Sequence, residues 1–176
     1  MSRRKPVDEA LQRLHAEIAL NRPFESQGEA ALLSITWTWQ RLEQLGREFF
    51  PRFGITEAQF NVLMILHDYA DRAFRQHELA DILVVNRASI GSVLERLERD
   101  GLVARVQDPV DRRAMRVSLT PAGKRKLDEV RGPYYRLMAQ LFRGHEERDL
   151  QQLILSCDRL RAGAAAVSLP ARPEKE

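Results

Sequence analysis

The chain has 176 residues, 44% apolar and 30% charged, with a net charge of +3. This is an ordinary globular composition, enough for one domain or two small ones on a shared core, and its slight basic excess points only weakly to an anionic partner. The single Cys157 excludes an internal disulfide and fits a reducing cytoplasm, MSRRKPVDEA has no apolar run of a secretory leader behind it, and nothing approaches the ~20 apolar residues of a membrane span.

In chain order, Val7, Leu11, Leu14 and Ile18 mark one face of a short first helix that ends near Asn21-Arg22-Pro23. A helix over about 28–50 follows, with Leu32, Ile35, Trp39, Leu42 and Phe49 on one stripe, broken by Pro51 and Gly54. Thr56 then has the form of an N-cap, with Glu57 in the first turn, for a helix carrying Phe60, Leu63, Met64 and His67 on one side. RQHELADIL (75–83) is a short helix, VVN (84–86) a tight connection, and RASIGSVLERLERDG (87–101) a second helix between Asn86 as N-cap and Gly101 as stop. That spacing is a helix-turn-helix.

LVARVQD and AMRVSLT alternate apolar and polar residues, as half-buried strands do, and a charged turn over 107–113 joins them. Thr120 caps the next helix, with Pro121 at its favoured first position; the helix runs to about 143 with a bend expected near Gly132-Pro133. A last amphipathic helix (146–163) carries Leu150, Leu153, Ile154, Cys157 and Leu160 on one stripe. The predicted fold is mostly α with a small β-hairpin wing: a winged helix-turn-helix domain plus a helical dimerisation domain. The expected division is 1–27 as an extension with an extra helix, 28–54 and 121–163 as the dimerisation region, 55–120 as the winged domain and 164–176 as a disordered tail.

ELADILVVNRASIGSVLERLERDG and DGLVARVQDPVDRRAMRVSLTPAGKRKL resemble the helix-turn-helix and wing of the MarR family (multiple antibiotic resistance regulators), a likeness that covers roughly 28–163. Val84 stands where such turns often carry Gly, and Arg75 where Ser or Thr is common. The resemblance implies a cytoplasmic, sequence-specific DNA-binding regulator: a repressor that holds double-stranded DNA as a homodimer. On that reading Asn86, Arg87, Ser89 and Ser92 face the major groove, and side-chain-free Gly91 lets the helix approach closely. Asn86 is equally well a simple N-cap. Arg96 meets phosphate or pairs with Glu95 or Asp100, and Arg75 and Gln76 hold phosphate at the start of the first helix. The resemblance places a wing-tip arginine in the minor groove; by position it is Arg113, oriented by Asp111, with Arg112 as a second contact. The alternative for these three is an exposed ion pair worth ~0–1 kcal/mol. Residues 72–119 hold nine Arg against seven Asp and Glu, so binding rests on local placement, not on bulk charge.

Family members commonly release DNA when a small aromatic acid or phenol binds, and the resemblance implies such an effector here. Trp37, Gln40, Arg41 and Gln44 share a second face of the long helix and suit a planar anion; by alignment with the family pocket, Phe60 and Met64 join Trp37 around the cavity. Core packing is the competing reading for Phe60 and Met64, and also for His67. Cys157, on an apolar stripe, reads as a buried structural thiol. No Gly-rich phosphate loop, metal-ligand cluster or nucleophile–base pair is present, so no enzyme and no cofactor are expected. A non-sensing or activating regulator, and a winged-helix protein-interaction module, remain the alternatives.

Overall fold

The computed structural model describes residues 6–70, 72–83, 87–108 and 115–168, with the side chains of Pro6, Arg87 and Ala88 outside that description. The chain forms two compact units, Met1–Val130 and Arg131–Glu176. The boundary falls inside a helix, so residues 28–54 and the first turns after Thr120 group with the helix-turn-helix, not with the C-terminal helix.

In the first unit, α1 (Pro6–Glu17) and α2 (Gln27–Phe49) are joined by a short connector. Ser26 caps α2 by accepting the Glu29 N–H at 3.0 Å, and the Glu29 carboxylate pairs with Arg22 and accepts the Glu25 N–H. A 3-10 turn, Phe50–Phe53, ends at Gly54 with φ +70, a left-handed conformation that suits glycine. α3 (Glu57–Asp68) opens on a full capping box: Thr56 accepts from the Gln59 N–H, and the Gln59 side chain accepts from the Thr56 N–H.

β1 (Phe74–Arg75), α4 (Gln76–Leu83), α5 (Arg87–Arg99), β2 (Val103–Gln107) and β3 (Met115–Leu119) complete the winged fold. The sheet order is β1-β3-β2, antiparallel throughout, with Phe74 opposite Val117 and Val103 opposite Leu119. The sequence patterning predicts the β2–β3 hairpin but not β1, and it assigns Arg75 to a helix. Arg75 is instead a strand residue, drawn into the ladder opposite Arg116.

The core lies among Phe60, Leu63 and Leu66 of α3, Leu79 of α4, Ile90, Leu94 and Leu97 of α5, and Phe74 and Val117 of the sheet, all at most 2% exposed. Each such side chain contributes about 1.5–3 kcal/mol by leaving water. α5 ends at Gly101 (φ +69), where the Leu102 N–H returns to the Leu97 carbonyl at 2.8 Å. Thr120 then links three elements. Its hydroxyl donates to the Gly101 carbonyl at 2.7 Å and accepts the Gly123 N–H at 3.0 Å, capping α6 (Pro121–Leu141). Gly123 is the point of closest approach, since a Cβ there would stand 2.0 Å from the Leu102 carbonyl oxygen. The early turns of α6 are anchored by Leu127 and Val130 in the core and by Lys126, which donates to the Phe53 carbonyl.

The second unit contains the remainder of α6 and α7 (Glu147–Ala166). α6 continues through Gly132-Pro133 as one helix. No residue of α7 is buried, and Leu153, Ile154 and Leu160 lie 50–64% exposed. Cys157 is only half-buried, which corrects the expectation of a buried thiol. The helix also takes in 164–166, which the sequence assigns to a disordered tail; 169–176 lie outside the described residues.

Candidate nucleic-acid interface

α5 has two chemically distinct faces. Ile90, Leu94 and Leu97 are buried at i, i+4 and i+7, so the opposite positions must point outward. Ser89, Ser92 and Arg96 take those positions at i, i+3 and i+7, all exposed. The Ser92 hydroxyl donates to the Ser89 carbonyl at 2.9 Å. Among the described residues no carboxylate pairs with Arg96: Asp100 pairs instead with Arg99, at 3.5 Å. The intrahelical pair that is the alternative for Arg96 is therefore not formed there. Asn86 and the Arg87 side chain lie outside the described residues, as do Asp111, Arg112 and Arg113 at the wing turn.

Gly91 has a different role from the one expected. It is half-buried, and a Cβ there would stand 3.2 Å from the amide nitrogen of Gln76. Its carbonyl accepts from Arg105 at 3.4 Å, and the Arg105 Nε lies 3.3 Å from the Glu98 carboxylate. The position a side chain would take faces the Gln76 amide of α4, not the outward face. Gln76, which opens α4, is half-buried with its amide turned toward α5 at Gly91.

The backbone amide of Arg75 is already engaged. The residue precedes α4, and Glu78 accepts its backbone N–H at 2.7 Å while pairing with Arg72. A carboxylate thus occupies the helix start to which the sequence reading assigns a phosphate. The Arg75 N–H, and then the Arg72 guanidinium, hold the Glu78 carboxyl below its usual range. The Arg75 side chain turns to Asp108, donating Nε–H to Oδ2 at 3.0 Å, and Arg116 donates to the same oxygen at 2.9 Å. Asp108 is 1% exposed. In the sequence it reads as one charge in a solvated turn. Its burial depends on β1, which leaves no sequence signal of its own.

The five candidate effector residues do not come together. Trp37, Gln40 and Arg41 line a shallow groove along α2 with Gln44 and Arg47, the Arg41 guanidinium lying 5.9 Å from the Trp37 ring centre. Phe60 is 2% exposed and packs on Phe50 at 5.2 Å between ring centres, so the core reading holds for it. Met64, half-buried, lines no part of this groove. A larger groove of about 650 Å³ runs between Trp39 and Glu43 of α2, Asn61 of α3, Leu83 of α4, and Ser89 and Val93 of α5. It touches the outward face of α5 directly. Among the described residues no group of three or more His, Cys, Asp or Glu could hold a metal, and no helix is long and apolar enough to cross a membrane.

Comparison with known proteins agrees with this architecture. The MarR family model matches residues 55–115. The chain is 33% identical over 119 residues to the HTH-type transcriptional regulator YsmB of Bacillus subtilis, covering 64% of this chain and 80% of that one. It is 28% identical over 138 residues to the HTH-type transcriptional repressor YetL of the same organism, covering 77% and 81%. Among solved structures it is similar to Bordetella bronchiseptica BpsR, whose DNA binding is regulated by 6-hydroxynicotinic acid, with a TM-score of 0.64 and 25% identity over 72% of this chain and 95% of that one.

Proposed function

Given that the chain belongs to the MarR family of DNA-binding transcriptional regulators, we propose that it is a homodimeric repressor released from a pseudo-palindromic operator by a small aromatic or phenolic acid. The protein is a regulator, not an enzyme. The observation that carries the reading is the stripe Ser89–Ser92–Arg96, exposed opposite the buried face of α5 and followed along the chain by a hairpin. Asn86, Arg87 and the two serines read base edges from the N-terminal half of α5, and Arg96 meets a phosphate farther along. Arg113 enters the adjacent minor groove with Asp111 orienting it, and Arg112 makes a second phosphate or groove contact. Two copies present two such helices to successive major grooves.

The effector reading rests on the groove between Trp39, Asn61, Leu83 and Val93, because its occupant would press on the helix that reads DNA. Support for a ligand comes from BpsR, which answers to a hydroxylated aromatic acid. Trp37, Gln40 and Arg41 face a groove confined to α2 and are the weaker seat.

Selection of duplexes from a random library by the full-length protein tests the regulator. Two related half-sites about one helical turn apart are expected, and the absence of any enriched sequence overturns the reading. Adding salicylate or 6-hydroxynicotinate to the selected complex tests release. Unchanged affinity across a panel of aromatic acids removes the sensing half and leaves a non-sensing regulator.

A further inference from the structure

Arg75 and Arg116 are direct partners across the β1–β3 ladder. Like charges at opposed strand positions repel, so this pairing works against the sheet. Asp108 offsets it by accepting both Nε–H groups on one oxygen from a side chain with no exposed surface. A sheet selected only for stability would do as well with apolar residues here, since replacing a buried ion cluster by apolar groups is often neutral or stabilising. The three charges instead leave a net +1. Each guanidinium is held through its Nε, which fixes its plane and leaves the terminal nitrogens for another acceptor. Both side chains keep about a third of their surface, 34% and 36%, and both line one polar groove of about 380 Å³ with Arg72, Ala73 and Glu78. Among the described residues no other carboxylate pairs with either guanidinium.

We propose that Arg75 and Arg116 form a two-guanidinium seat for a phosphate group, with the buried Asp108 as the residue that positions them. Planar forks of this kind match phosphate oxygens in pairs. The proposal rests on the regulator reading, and chain connectivity argues that the phosphate belongs to DNA. Arg75 leads into Gln76, which touches α5 at Gly91, and Asp108 leads into the wing turn. The seat therefore lies between the helix and the hairpin that one duplex must span.

The test compares full-length wild type, Arg116→Gln, Arg116→Lys and Asp108→Asn on the selected operator and on a random duplex, over a salt series. Melting temperatures establish folding. Arg116→Gln should weaken both complexes by a similar factor, about tenfold, and lower the salt slope by about one. Arg116→Lys should restore the slope but only part of the affinity. Asp108→Asn adds one positive charge. If Asp108 merely neutralises its neighbours, DNA binding tightens; if it positions them, binding weakens in a protein that still melts cooperatively. Unchanged affinity and slope in Arg116→Gln, or tighter binding in Asp108→Asn, overturns the seat while wild-type binding upholds the regulator. A wild type that binds no duplex overturns the regulator, and the seat with it. Inorganic phosphate at matched ionic strength separates the sources: a rise in wild-type melting temperature that Arg116→Gln abolishes, with DNA affinity intact, assigns the seat to a free anion and overturns the DNA assignment.

Discussion

Gly123 shows how one hydrogen atom in place of a methyl can set a junction. The nearest atom to a Cβ there is the Leu102 carbonyl oxygen at 2.0 Å, a backbone group that cannot rotate away. Gly123→Ala should therefore destabilise the fold by about 3 kcal/mol, near the top of the usual range for overpacking, as measured by urea denaturation. Glu78 makes a different prediction at the same scale. Its carboxyl is lowered in the folded chain by the Arg75 N–H and by Arg72, so the unfolded chain takes up that proton first on acidification. The stability it contributes is complete above the ordinary glutamate range and is lost as pH falls through that range to the lowered folded value. The gap in stability between wild type and Glu78→Gln should be constant above the ordinary glutamate range and narrow as pH falls through it, in parallel denaturation curves. Arg96 has no carboxylate partner among the described residues, so Arg96→Ala should leave the melting temperature within a few degrees. The same change should weaken operator and random duplex alike, by about tenfold at low salt in an anisotropy titration.

At the scale of elements, the helices and the hairpin were legible because each sets its apolar residues at a regular repeat. Leu32, Ile35 and Trp39, or Met115, Val117 and Leu119, recur at spacings that only one kind of secondary structure can place together. β1 was not legible, because two residues hold no period; Phe74 and Arg75 become a strand only when β3 is already beside them. The candidate interface divides in the same way. Ser89, Ser92 and Arg96 were assigned through the family resemblance, and in the structure they lie exposed while Ile90, Leu94 and Leu97 are buried. Gly91 and Gln76 were misplaced because a glycine bears no mark of the face it opens, and because α4 begins one residue later than its pattern indicates. The Arg105 bridge from β2 to α5 has no local signal either, since Gly91 and Glu98 lie far from it in sequence. Arg105→Ala should cost about 1–2 kcal/mol in a denaturation curve, because the variant can no longer donate to the Gly91 carbonyl or pair with Glu98.

At the scale of the whole molecule, the apolar surface that the chain leaves uncovered bears on its assembly. Leu32, Ile35 and Trp39 on α2 are 46–61% exposed, and α7 buries nothing. Patches of this kind ordinarily close against another chain. The proposed two-fold dimer should appear in sedimentation equilibrium at micromolar concentration, and Leu153→Glu with Ile154→Glu should shift it toward monomer and cost most of the operator affinity. A wild-type monomer at that concentration would remove the dimer from the proposal.

The separation of the two faces of α5 also bears on how such a regulator diversifies. Ile90, Leu94 and Leu97 commit the helix to the lobe, whereas Ser89, Ser92 and Arg96 lie exposed on the other face. Mutations on the outer face therefore escape the usual purge of unstable variants. On the proposed reading of that face, a duplicated copy of the gene acquires a new DNA address through single substitutions, each intermediate still folded, while the inner face drifts only by compensated exchanges.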